Sequence, residues 1–64
     1  MKYPNIEVQL TGTDSNAFSI MGAVRKALKR AGVSNDEIAA FTTEAQSGDY
    51  DNVLVTCMNW VNVN

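Results

Sequence analysis

Histidine is absent from this chain, and cysteine, proline and tryptophan occur once each. Without histidine, the commonest general base at neutral pH and the commonest metal ligand are both missing. A single cysteine, Cys57, excludes an intramolecular disulfide. No apolar run approaches the ~18 residues of a membrane span, and the polar start Met1-Lys2-Tyr3-Pro4-Asn5 has no signal-peptide core. The sequence therefore reads as that of a cytoplasmic protein without a membrane partner. Further glycines or a lysine beside the isolated Gly12, as phosphate-cradling loops require, are lacking too.

What is present is a globular composition, 45% hydrophobic and 19% charged over 64 residues. That length allows one domain, 1–64, and a chain so short buries only about 60% of the surface its unfolded form exposes. With no disulfide available, self-association is the expected support for a small core. The net charge of −2 conceals an asymmetry, because residues 15 to 32 carry four cations and no anion while residues 33 to 64 carry five anions and no cation.

Ile6, Val8 and Leu10 alternate with Glu7, Gln9 and Thr11, the period of a strand with one buried face. A turn at Thr11-Gly12-Thr13 and the capping side chains of Asp14 and Ser15 then predict a helix starting near Ser15. Ile20, Met21, Val24, Leu28 and Ala31 share one arc of that helix, and Arg25, Lys26, Lys29 and Arg30 lie on another, gathered at the C-terminal end that the helix dipole favours for cations. Gly32 suits a left-handed stop. Ser34-Asn35-Asp36-Glu37 has the form of a capping box, with Val33 and Ile38 as its hydrophobic staple, so a second helix follows with Ile38, Phe41 and Ala45 inward. Ser47-Gly48 ends it.

Residues 50–60 fit two templates. As a strand they would place Thr56 beside Leu54, Met58 and Trp60; as a helix, Trp60, Val53, Cys57, Tyr50, Val61, Leu54 and Met58 form one apolar arc opposite Asp51, Asn52, Thr56 and Asn59. The helix violates its pattern only at Val55, so a helix from Tyr50 to Trp60 capped by Asp49 is expected. Val61-Asn62-Val63-Asn64 alternates again and predicts a short strand paired with the first. The fold class is α+β, a small β-α-α-α-β domain with its terminal strands paired. Two strands leave two open edges, and an edge-to-edge homodimer would cover them.

Few residues suggest chemistry. Cys57 lies on an apolar arc, where a cysteine serves as a small hydrophobe. Asp49 and Asp51 open like a calcium loop, but Val53 stands where a third oxygen ligand is needed, so their expected role is charge at a helix N-terminus. No catalytic group, metal or cofactor is expected, and the chain reads as a non-enzyme. The candidate surface lies on the first helix. Phe18, Gly22, Arg25 and Lys29 fall within about 60° of one another, away from the core arc, with Lys26 and Arg30 nearby. An aromatic beside a glycine, rimmed by cations, suits a self-association or partner surface. The alternative is that the third helix covers Phe18 and Gly22 gives it room.

Ala27-Leu28-Lys29-Arg30-Ala31-Gly32-Val33-Ser34, followed by Ile38 and Phe41, resembles a repressor-type helix-turn-helix. Such a motif implies a recognition helix over residues 34 to 46, but that segment carries Asp36, Glu37 and Glu44 and no cation, which argues against nucleic acid as its partner. A small nucleic-acid-binding regulator using the basic first helix is the alternative function. Across the chain, Val8-Gln9-Leu10-Thr11-Gly12-Thr13-Asp14, Arg30-Ala31-Gly32-Val33-Ser34, Ser47-Gly48-Asp49-Tyr50-Asp51 and Thr56-Cys57-Met58-Asn59-Trp60-Val61 resemble short proteins encoded by bacteriophages and other mobile elements. This resemblance carries no site residues; it implies an accessory protein acting through binding in a bacterial cytoplasm. The expected partner, from the small core and the open edges, is a second copy of the chain, or else another protein.

Overall fold

The computed structural model describes residues 1–10 and 15–64, in the order β1 (Tyr3–Val8), α1 (Ala17–Arg30), α2 (Asn35–Ala45), α3 (Tyr50–Trp60) and β2 (Val61–Val63). The expected α+β order is the one found. The turn expected at Thr11–Asp14 lies outside the described residues.

The two strands pair in parallel, with Tyr3 opposite Val61, Glu7 opposite Asn62 and Val8 opposite Val63. A parallel pair needs a long crossover, and the three helices supply it. The register is irregular between Tyr3 and Glu7, which accommodates Pro4, a residue with no N–H for a ladder. The first strand therefore begins earlier than its apolar alternation implies. Val8 is buried while Ile6 and Leu10 are half-buried, and two further bonds, Leu10 N–H to Asn64 O at 2.9 Å and Asn64 N–H to Val8 O at 2.9 Å, extend the pairing past β2.

Helix α1 begins at Ala17, two residues later than the start expected near Ser15. Asn16 is its N-cap, and the Asn16 Oδ1 accepts from the Phe18 N–H at 2.8 Å. At the other end Ala31 is the C-cap and is exposed, not part of the buried arc, which comprises Ile20, Met21, Val24 and Leu28. Gly32 follows at φ 86°, with its N–H on Lys29 O at 3.1 Å and the Val33 N–H on Leu28 O at 3.0 Å. These two bonds define a Schellman motif, whose left-handed position favours glycine.

Ser34 caps α2 as its spacing predicts, its hydroxyl accepting from the Glu37 N–H at 3.2 Å, an interaction worth about 1 kcal/mol over alanine. The capping box is only half made. Glu37 directs its carboxylate across the molecule, accepting from Tyr3 Oη at 3.0 Å and pairing with Lys2 Nζ at 3.0 Å, in place of turning back to Ser34. Ile38, Phe41 and Ala45 are buried as expected.

Asp49 caps α3, accepting from the Asn52 N–H at 3.1 Å. The Asn52 amide closes the other side of this junction by donating to Glu44 O at 2.9 Å and Ala45 O at 3.2 Å, carbonyls in the last turn of α2. The buried face of α3 is Val53, Thr56, Cys57 and Trp60, spaced i, i+3, i+4 and i+7. Thr56 is therefore inside, and Tyr50 and Met58, expected on the buried arc, are 42% and 54% exposed. The helix is rotated because its packing surface is shared by α1, α2 and β2, and the stripe those neighbours cover centres on Cys57 and Trp60. Phe41, Leu28, Val24, Val61 and Cys57 form the fully buried centre.

Candidate interaction surface

Burial of one face of α1 leaves the opposite face free, and the structure shows what stands there. Phe18 is 73% exposed. Beside it runs a shallow cleft of about 260 Å³ between α1 and the start of α3, lined among others by Met21, Tyr50 and Val53. The Tyr50 hydroxyl donates to Ser15 O at 2.5 Å, tying the start of α3 to the entry of α1. Helix α3 thus lies alongside Phe18 without covering it.

Gly22 does not make room for α3 either, since a Cβ built on it would meet nothing within 4 Å. Glycine in a helix interior is destabilising by roughly 0.5–1 kcal/mol relative to alanine. No contact among the described residues explains that cost.

The four cations of α1 are not one patch. Arg25, Lys26 and Lys29 line a groove of about 280 Å³ with Gly22, Asn35 and Ile38, at the seam of α1 and α2. Arg30 lines a different groove with Asn5, Ile6, Glu7 and Ala27, beside β1. Among the described residues the one ion pair is Lys2 with Glu37, so none of the α1 cations is engaged in one there.

Sequence reasoning overlooked a cluster that joins the N-terminus to the helices. Lys2 Nζ lies 4.3 Å from the Trp60 ring centroid, the Tyr3 and Trp60 rings are 6.0 Å apart, Phe41 meets Trp60 edge-on at 5.5 Å, and Trp60 Nε1 donates to Glu44 Oε2 at 2.9 Å. Glu37 and Glu44 stand seven residues apart on α2, two helical turns, and hold the two ends of this cluster. Hydrogen bonds from Lys2 and then Tyr3 hold the Glu37 carboxyl below the usual carboxylate range. The pair therefore stabilises the fold at neutral pH, and this contribution fades as falling pH protonates Glu37. The Tyr3 phenol is pushed up, first by desolvation and then by Glu37.

Cys57 is fully buried, and burial pushes its thiol up to about 11, against a smaller opposing effect of a backbone hydrogen bond. That is the environment of an inert packing residue. Among the described residues, no three of Cys, Asp and Glu converge to hold a metal ion, and no helix is long and apolar enough to cross a membrane.

Compared with known proteins, the chain matches no protein-family profile, no curated protein and no solved structure. What fold and surface define together is a small α+β domain whose most distinctive feature is the open outer face of α1.

Proposed function

We propose that this chain is a non-enzymatic interaction protein that works as a homo-oligomer through the outer face of α1. The observation that carries the reading is Phe18, an aromatic 73% exposed on a regular helix beside a cleft containing Met21, Tyr50 and Val53. Covering a phenylalanine side chain is worth roughly 1.5–3 kcal/mol, a large term for a domain of this size. The lack of histidine and the burial of Cys57 support a role in binding over catalysis. An accessory role in a bacterial cytoplasm is part of the same proposal.

A second reading, contact with nucleic-acid phosphates, has one observation in its favour: Arg25, Lys26 and Lys29 share a groove. Only three of the four cations do so, on a chain of net charge −2, and binding of that kind would weaken steeply with salt.

The test is the Phe18→Ala variant, with mass read by sedimentation equilibrium and folding by circular dichroism. Loss of assembly with an unchanged helical spectrum is the expected result. An assembly as tight as that of the wild type would remove Phe18 from the interface.

A further inference from the structure

We propose that two copies of this chain meet along α1 in an antiparallel crossing centred on Gly22, with Phe18 of each copy seated between Arg25 and Lys29 of the other. The proposal rests on the self-association argued above and adds its geometry.

Three observations carry it. Gly22 sits in the interior of a 14-residue helix at a position where a Cβ has open space, so nothing among the described residues requires glycine there. Close approach of a second backbone does require it, because a residue without a side chain lets two helix axes come together. The neighbours of Gly22 on the wheel are the second observation: with Gly22 at 0°, Lys29, Phe18 and Arg25 lie at about −20°, −40° and −60°, all to one side. Axial spacing is the third. Phe18 precedes Gly22 by about 6 Å, whereas Arg25 and Lys29 follow it by about 4.5 and 10.5 Å.

A two-fold axis through Gly22, perpendicular to the helices, keeps each residue on its own side and reverses its height. Phe18 then arrives at a level between the partner's Arg25 and the partner's Lys29, and the same contact recurs on the other side of the axis. Guanidinium and ammonium groups are attracted to the face of an aromatic ring, and an isologous interface makes each such pair twice. Orientation follows from charge. Parallel packing would bring Phe18 level with Phe18, and Arg25 and Lys29 of one helix level with the same cations of the other, whereas antiparallel packing brings each of these cations level with an aromatic.

The experiment is disulfide trapping of the full chain, run beside light scattering of the unmodified protein. Cys57 is buried and contributes no background crosslink. Gly22 is left in place, and two variants, Phe18→Cys and Arg25→Cys, are oxidised mildly, each alone and mixed in equal amounts. In a mixed pair the two cysteines stand about 1.5 Å apart in height on the same side of the axis, within disulfide reach, while the second contact of Phe18 with Arg25 stays native. The mixture is expected to give a covalent dimer on a non-reducing gel. Phe18→Cys alone, about 12 Å from its mate along the helices, and Arg25→Cys alone, about 9 Å from its mate, are expected to stay monomeric on the same gel. Crosslinking of Phe18→Cys alone with no added dimer in the mixture would overturn the antiparallel arrangement. An unmodified protein that is dimeric by light scattering while the mixture does not crosslink would also overturn it, assigning the dimer to another face and leaving self-association standing. A monomer at every concentration would remove the self-association and this geometry together.

Discussion

Trp60→Ala is expected to abolish the cooperative thermal transition of this domain. Trp60 is 4% exposed and joins four parts of the molecule: Lys2 and Tyr3 at the N-terminus, Phe41 and Glu44 on α2, its own helix, and β2, which begins at the next residue. Truncating a buried aromatic to alanine costs about 3–5 kcal/mol, through lost transfer energy and the cavity left behind. At roughly 0.05–0.15 kcal/mol per residue, a domain of this length has a total stability of the same order. Trp60→Phe is the informative control, since it keeps an apolar ring and gives up the indole N–H bond to Glu44, a loss of about 1 kcal/mol. Circular dichroism melts decide the matter: a flat or broad trace for Trp60→Ala with a shifted but cooperative one for Trp60→Phe is the expected pair. A Trp60→Ala melt that overlays the wild type would show that Trp60 does not organise the core.

The second large effect concerns Cys57. With the thiol pushed up to about 11, roughly one part in a thousand is thiolate at pH 8, against about a quarter for an unperturbed cysteine. Burial between α3 and the rest of the core restricts access further. Labelling by a disulfide reagent at pH 8 should therefore be at least about a hundredfold slower in the native protein than in denaturant. Equal rates would place Cys57 on an accessible surface and contradict the rotation of α3 described above.

That rotation marks the boundary of what the residues alone disclose. Caps are local, so Ser34, Asp49 and the left-handed Gly32 were legible, each set by the few residues that follow or precede it. The element order was legible for the same reason. Long-range competition was not. Glu37 has the spacing of a reciprocal cap, yet Lys2 and Tyr3, more than thirty residues away, take its carboxylate. Nothing in the segment Met1–Asn5 signals that Lys2 will lie over an indole. Thr56 was placed opposite the apolar arc because hydropathy ranks Met58 above it, but the neighbouring helices cover the stripe through Cys57, and position outweighed residue type.

The candidate surface divides along the same line. That Phe18 turns away from the core follows from helical periodicity, and the structure bears this out, whereas Gly22, expected to turn away with it, is half-buried in the groove between α1 and α2. Whether α3 would reach over them depended on where a second helix packs, which periodicity does not contain. The cations show the reverse error. Adjacent in sequence and similar in charge, Lys29 and Arg30 read as one cluster, although 100° per residue sends them into separate grooves.

The central claim is that the open face of α1 is covered by a second copy, and the most direct test is the solution mass of the unmodified protein by light scattering, over a range of concentrations at low and high salt. The expected result is a mass of twice the 7.0 kDa chain at high concentration, dissociating on dilution. A mass of one chain under every condition would contradict it.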